Sequence, residues 1–147
     1  MRRLFIIRKD LHLKAGKLAA MIGHCAEAYW TNKLKHAYNV NNTASKQSVT
    51  ITLDSSEMND YVLGIFTKTI CEAKNLNQLM KVVDIATELG LVENEDYGFI
   101  DDCCLTDLTP EFTDENGVGR CRIGIWFKPL PDEIAHKLSK KYQLYKD

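Results

Sequence analysis

The sequence predicts an α/β fold, a three-layer sandwich in which a small mixed sheet of four strands, or slightly more, carries helices on both faces. The main observation is that short apolar runs, typical of buried strands, alternate with longer segments of helical periodicity. The length of 147 residues suits one domain with a hydrophobic core and is too short for two ordinary ones. The composition, 45% hydrophobic and 27% charged, is ordinary for a globular protein. We therefore expect residues 1–147 to form a single domain.

The N-terminal half begins with a predicted strand at 4–8, a short apolar run. A long helix is predicted at 14–35, because apolar side chains recur there at helical spacing and form one core-facing side. These side chains are Leu18, Ile22, Cys25, Ala26 and Tyr29. Asparagine and serine residues then indicate a surface loop at 38–47. A strand at 49–53 and a short helix at 56–63 are expected to follow.

The C-terminal half repeats the alternation of strands and helices. The predicted elements are a strand at 66–73, a helix at 76–89 that Gly90 ends, a short strand at Phe99 and Ile100, a polar loop at 103–119 closed by Asn116-Gly117, a strand at 121–127, and a last helix that Pro131 opens. Glycine is favoured just past the end of a helix, and proline is favoured in its first turn. The last helix is expected to bury Ile134 and Leu138.

The lack of a recognisable export signal and the pattern of cysteines favour a cytoplasmic protein. The longest N-terminal apolar run, Leu4–Ile7, follows Arg2 and Arg3 but is too short for a signal-peptide core or a membrane span. The five cysteines are odd in number, and their spacing indicates no disulfide framework. Cys103 and Cys104 are adjacent and lack the spacing that lets two thiolates hold one zinc ion, so no metal is expected.

The charge is unevenly distributed along the chain, although the net charge is only −1. Residues 1–50 carry nine basic and two acidic side chains, whereas residues 51–100 carry three basic and nine acidic ones. A basic N-terminal third is suited to a phosphate backbone, and it is also what a solvated surface looks like. Charge alone favours the solvated surface, because a dedicated nucleic-acid binder is usually more basic overall.

Four segments of the chain have the order and spacing of a known family's motifs. They are Arg8-Lys9-Asp10-Leu11 with Gly16-Lys17-Leu18-Ala19-Ala20 and His24; residues 68–91; Asp102, Thr106 and Pro110; and Gly124-Ile125 with Pro129. In this combination the chain resembles the archaeal-type peptidyl-tRNA hydrolases. The resemblance covers most of the chain and leaves residues 36–66 as an expected insertion.

The resemblance implies an enzyme that hydrolyses the ester bond between a peptide and the 3′ end of tRNA, without a cofactor or metal. It implies catalytic roles for Lys17, Asp102, Thr106 and His24. Substrate-binding roles are expected for Lys14, Met21 and Lys33. The implied partner is peptidyl-tRNA, with a homodimer as the expected assembly.

The residues themselves support a site, with ordinary structural roles as the alternative. Lys17 and His24 are seven positions apart on a predicted helix, so they share a face with Met21 between them. Asp102 follows a short apolar strand, where α/β folds place ligands, and Thr106 lies four positions further on. Yet an isolated helical lysine is most often a surface charge, an isolated histidine is often structural, and Asp and Thr in loops are often turn residues.

The implied chemistry gives each residue a task. Water attack on the ester builds negative charge on the carbonyl oxygen, which a protonated Lys17 would stabilise by roughly 3 to 4 kcal/mol. Asp102 would orient Thr106, whose hydroxyl would position the water. His24 would orient this network or act as the general base, because the unperturbed pKa of histidine lies near neutrality.

Several positions depart from the family pattern and support a second hypothesis. Met21 stands in place of Gln, Cys103-Cys104-Leu105 in place of Ala-Gly-Arg, Asp107 in place of Gln, and Cys121 in place of Thr. The alternative is a non-catalytic relative of the same fold that binds RNA ends or a protein partner.

Overall fold

A computed structural model describes residues 1–105 and 108–147. The six strands are β1 (Arg3–Arg8), β2 (Lys68–Ala73), β3 (Tyr97–Asp102), β4 (Phe112–Thr113), β5 (Gly119–Phe127) and β6 (Gln143–Leu144). The three α-helices are α1 (Ala15–Ala37), α2 (Leu76–Glu88) and α3 (Asp132–Ser139), and Glu57–Val62 forms a short π-helical segment. The predicted alternation of strands and helices is confirmed.

The strands form one mixed sheet in the order β3-β5-β1-β2-β6, with β4 paired to β5. Strands β1 and β2 are parallel, and the other pairs are antiparallel. The sheet is therefore larger than four strands, because the two-residue strand β6 adds to the edge at β2 and the two-residue strand β4 pairs with the start of β5. Since β5 is antiparallel to both β1 and β3, these two strands point in the same direction.

Alternate residues of β1 supply the two cores of the sandwich. Leu4 and Ile6 pack with α2 and α3 on one face of the sheet. Phe5 and Ile7 pack with α1 on the other face. A strand that is buried on both sides has this pattern of continuous apolar residues. The three-layer α/β sandwich predicted from the sequence is confirmed.

A buried arginine joins α1 to the sheet. The Arg3 guanidinium donates hydrogen bonds to the carbonyl oxygens of Phe127, Ala26 and Cys25, at 2.6, 2.9 and 2.9 Å. Burial lowers the pKa of Arg3, and the three carbonyls supply the polar partners that a buried guanidinium needs. This contact holds the middle of α1 against β5.

The helix α2 begins and ends where the sequence predicts. The side chain of Asn75 accepts a hydrogen bond from the Gln78 amide at 2.9 Å, which caps the first turn. Gly90 follows the helix with a φ of +78°, in the left-handed region that favours glycine.

The predicted strand at 49–53 is wrong. Val49, Ile51 and Leu53 are half-buried and alternate with exposed threonines, which explains the period of two in the sequence. However, this segment pairs with no strand in the described parts of the chain. Alternation reports burial of one side of an extended segment, and a strand also needs a partner. Within the described residues, no helix is both long and apolar enough to cross a membrane.

Candidate active site

Lys17 and Asp102 meet in an ion pair at one edge of the sheet. The Lys17 Nζ lies 2.8 Å from Asp102 Oδ1, across 85 positions of the chain. Lys17 is in the first turn of α1, and Asp102 is the last residue of β3. The structure therefore brings together two of the residues that the sequence analysis selected.

The topology of the sheet explains why Lys17 and Asp102 lie close together. The helix α1 follows β1 and returns across the sheet, packing on β1, β3 and β5. Because β3 points in the same direction as β1, its carboxyl end lies at the edge of the sheet where α1 begins. Loops at the carboxyl ends of strands are the usual location of ligand sites in α/β folds.

Asp102 is held on both of its oxygens. Its Oδ2 accepts a hydrogen bond from the Cys104 backbone N–H at 2.9 Å, and the Cys104 thiol donates to the Asp102 carbonyl oxygen at 3.5 Å. Cys104 has a φ of +58°, so this short turn is strained for a residue with a side chain. The carboxylate is 10% exposed and the Lys17 side chain 31% exposed, so the pair is accessible from the lysine side.

The ion pair holds both groups in their charged forms. The hydrogen bond to Asp102 raises the pKa of Lys17, and burial opposes this effect. Burial by itself raises the pKa of Asp102, but the hydrogen bonds from Lys17 and from the Cys104 amide outweigh burial, so the pKa of Asp102 is lowered. At neutral pH the site therefore presents an ammonium group supported by a carboxylate.

A second charged cluster lies next to the site, and the sequence analysis assigned it no role. The buried Arg8 guanidinium donates to Glu111 at 2.6 and 2.8 Å, and to Asp10 at 2.8 and 3.1 Å. Cys121 lies beside Glu111 and is paired across the sheet with Asp102. Burial and the Glu111 charge raise the pKa of Cys121 to about 12, so its thiol stays neutral. The available sequence signal was a charged residue that ends a buried apolar strand.

His24 is exposed on α1, two turns after Lys17, and lines a groove of about 410 Å³ between α1 and β3. The expectation that Met21 lies on the same open face is corrected. Met21 is 4% exposed and packs in the core with Phe5 and Ile7. At 100° per residue, the side chain at position 21 is turned by about 40° from that at position 17 and by about 60° from that at position 24, and it therefore points at the sheet. The structure thus provides no open surface through which Met21 would contact a substrate.

The two expected substrate-binding lysines lie at opposite ends of α1. Lys14 is exposed at the N-cap, next to Lys17. Lys33 lies about 28 Å further along the helix than Lys14, at 1.5 Å per residue. Its Nζ donates to the Thr52 carbonyl at 3.1 Å and sits 5.1 Å from the centre of the Tyr29 ring. Thr106 lies outside the described residues.

All five cysteines are free thiols. Among the residues described, no three His, Cys, Asp or Glu side chains are arranged to hold a metal ion. Leu105, which stands where the resembling family has Arg, is 86% exposed next to the site.

The chain matches a known protein family over nearly its whole length. The family model described as peptidyl-tRNA hydrolase PTH2 matches residues 1–145, nearly the whole chain. A comparison with curated proteins finds no significant match. The matched range includes both partners of the Lys17–Asp102 pair and every strand and helix of the sandwich. The chain belongs to the peptidyl-tRNA hydrolase PTH2 family.

Proposed function

We propose that this protein hydrolyses the ester bond between a peptide and the 3′-terminal ribose of tRNA. The observation that carries the proposal is the Lys17–Asp102 pair, which joins α1 to the end of β3 with a distance of 2.8 Å and leaves the ammonium group accessible. Family membership supports the substrate class.

The reaction needs a water nucleophile and a positive group at the carbonyl oxygen. The water oxygen bonds to the ester carbon, and the carbonyl electrons move to the oxygen, which becomes an oxyanion next to the Lys17 ammonium. When the carbon–oxygen bond to ribose breaks, the ribose oxygen takes a proton. The products are a peptide carboxylate, a tRNA with a free hydroxyl group and one released proton.

Asp102 acts on Lys17 as well as on the loop that follows it. The carboxylate keeps Lys17 protonated and aligned, because its hydrogen bond raises the pKa of the lysine. A fixed charge of this kind costs no reorganisation when the oxyanion forms, which is the usual source of electrostatic catalysis. The low pKa of Asp102 makes it a weak proton acceptor.

In this proposal Thr106 positions the attacking water, and His24 accepts the proton that this water loses. His24 is exposed and lines the groove that begins beside Asp101, one residue before Asp102. An exposed imidazole on the wall of a groove is accessible to a water molecule, as a general base requires. Thr106 follows Asp102 by four residues and completes the proposed set.

The proposed partner is tRNA, which would lie along the basic N-terminal part of the chain. Lys14 is exposed at the start of α1, next to Lys17, and suits a contact to phosphate. Lys33 suits this role less well, because it is bonded to the Thr52 carbonyl and shares a pocket with Asp54 and Glu57.

A second candidate is a non-catalytic relative that binds RNA ends or a protein partner. The specific observation in its favour is Leu105, an apolar side chain that is 86% exposed where the resemblance places an arginine. An exposed leucine offers a contact to a base or to an apolar protein surface and removes a charge that would bind phosphate.

The deciding experiment incubates the protein with N-acetyl-aminoacyl-tRNA and with a tripeptidyl-tRNA and measures the release of free tRNA. Release that depends on protein concentration and is lost in Lys17→Ala supports the enzyme. If tRNA binds and neither ester is cleaved, the non-catalytic alternative replaces the proposal.

We also propose that the protein works in the cytoplasm as a homodimer, with residues 36–66 as an insertion into a single domain. Much of that segment lacks regular structure, and it contains the π-helical segment Glu57–Val62. Sedimentation analysis tests the dimer. A monomer at micromolar concentration would contradict this part of the proposal.

A further inference from the structure

The groove between α1 and β3 is large enough for a ligand. Its volume is about 410 Å³, within the usual range of about 300 to 1,000 Å³ for ligand sites. Its walls include His24, Thr31 and Asn32 from α1, Asn94 from the loop before β3, and Asp101 from β3. The groove therefore extends from Asp101, the neighbour of Asp102, along α1 between His24 and Lys35.

The floor of this groove contains a buried tryptophan with a free donor. Trp126 on β5 is 2% exposed, and its ring covers Gly98, where a Cβ would lie 2.6 Å from the indole carbon Cζ2. Within the described residues its indole N–H has no hydrogen-bond partner, yet it is not an enclosed unsatisfied group. Trp126 lines the groove, so an acceptor on a ligand in the groove would supply the partner that this N–H lacks.

The charges of the groove do not suit the phosphates at the tRNA end of the substrate. Glu27 opposes Lys35, and the Asp101 carboxylate is neutralised by Arg122 at 2.9 Å. A phosphate chain needs a surplus of positive charge, which this groove lacks. Amides, a hydroxyl and an indole N–H instead match the alternating carbonyls and N–H groups of a peptide backbone.

We propose that this groove binds the peptide part of the substrate, with the Trp126 N–H donating to a backbone carbonyl of the peptide. The inference rests on the proposed function, because that function places a peptide ester at Lys17. The peptide chain then extends from the ester, past Asp101 and His24, along α1. The tRNA end lies on the opposite side of the ester.

A binding experiment tests the proposal without relying on catalysis. The chain has two tryptophans, so a ¹H–¹⁵N spectrum contains two indole N–H signals. N-acetyl-trialanine amide should shift the Trp126 signal and leave the signal of Trp30, which packs against Tyr29 and Tyr61, in place. The trinucleotide cytidylyl-cytidylyl-adenosine should shift neither. If the trinucleotide shifts Trp126, or if the peptide does not, the proposal is overturned.

A kinetic experiment measures the same contact in turnover. The wild-type protein should have a higher kcat/KM for tripeptidyl-tRNA than for N-acetyl-aminoacyl-tRNA. Trp126→Phe keeps a ring over Gly98 but removes the N–H, and it should lower this ratio by about 2- to 10-fold, as expected for one neutral hydrogen bond. The matched control Trp30→Phe should leave the ratio unchanged.

Because Trp126 is buried, a second variant keeps the test independent of the stability of Trp126→Phe. Asn32→Ala changes a half-buried side chain on the groove wall, and it should weaken the peptide-induced shift of the Trp126 signal. A wild-type protein that cleaves neither ester contradicts the proposed function but leaves the peptide shift as evidence for the groove. Cleavage of both esters at equal rates, without a peptide shift, refutes the groove and leaves the function intact.

Discussion

Replacement of Lys17 by methionine separates a catalytic ammonium group from a structural ion pair. Methionine keeps most of the aliphatic length of lysine and removes the charge next to Asp102. If Lys17 stabilises the oxyanion, the loss of one well-placed group should cost about 2.7 to 4 kcal/mol, a fall in kcat of about 100- to 1,000-fold. Single-turnover hydrolysis of tripeptidyl-tRNA measures this effect directly.

The cost of the same substitution in stability should be small. The Lys17 side chain is 31% exposed, and an ion pair with this much solvent contact contributes about 0.2 to 1 kcal/mol. Asp102 keeps the hydrogen bond from the Cys104 amide at 2.9 Å, so the carboxylate is not left without a partner. A loss of about 1 kcal/mol corresponds to a fall in Tm of about 2 to 4 °C for a chain of this size.

The matched control is Lys128→Met. Lys128 forms an ion pair with Asp96 at 2.8 Å, with an exposure close to that of the Lys17–Asp102 pair. Its removal should cost a similar amount of stability and leave hydrolysis unchanged. If both variants lose stability equally and Lys17→Met still cleaves at the wild-type rate, the oxyanion role of Lys17 is refuted.

The contribution of the Lys17–Asp102 pair to stability should depend on pH in a defined direction. The folded pKa of Asp102 is lowered, so its stabilising contribution is present above the unfolded pKa near 3.8 and disappears as the pH falls through the folded value. The folded pKa of Lys17 is raised, so its contribution is present below about 10.5 and disappears as the pH rises through the folded value. The difference in the free energy of unfolding between wild type and Lys17→Met should therefore be constant from about pH 5 to 9 and narrow outside that range.

Four further substitutions or conditions test other parts of the site and fold. Asp102→Asn should lower kcat by about 100-fold or more, and an alkaline loss of activity at lower pH than in the wild type would show that Lys17 has lost its support. His24→Ala should change the free energy of unfolding by less than about 0.5 kcal/mol, because the side chain is exposed, while activity falls; full activity would remove His24 from the mechanism. The affinity for tRNA should fall steeply between 50 and 200 mM salt, and Lys14→Ala should reduce that slope by about one; binding that salt does not affect would argue against phosphate contacts. Asn75→Ala should cost about 1 kcal/mol in urea unfolding through loss of the α2 cap, with activity retained.

Local patterns in the sequence predicted most of the elements. The helices α1 and α2 and the strand β1 were found because their apolar spacing reports which side of each element is buried. Gly90 was identified as the end of α2 from the backbone conformation that glycine permits, and the structure confirms this with a φ of +78°. Such signals lie within a few neighbouring residues, so no knowledge of the rest of the fold is needed.

The sequence-based predictions were wrong or incomplete where the outcome depends on residues far away in the chain. The segment 49–53 has strand-like alternation but pairs with no strand among the described residues. Met21 lies between Lys17 and His24 on the predicted face of α1, yet its side chain points at the sheet and is buried. Arg8 ends a buried strand, and its partner Glu111, 103 positions away, is identified only from the fold.

The sequence alone determined the order of the elements, the family resemblance and the choice of Lys17 and Asp102 as candidates. The tertiary structure decided that these two side chains, 85 positions apart, meet at 2.8 Å, and that Trp126 lines a groove beside them. The physical reason is that helix and strand periods describe how an element turns about its own axis. Which residues finally meet depends on strand direction, on register and on the packing of α1 across the sheet, and these are settled only when all the elements bury their apolar faces together.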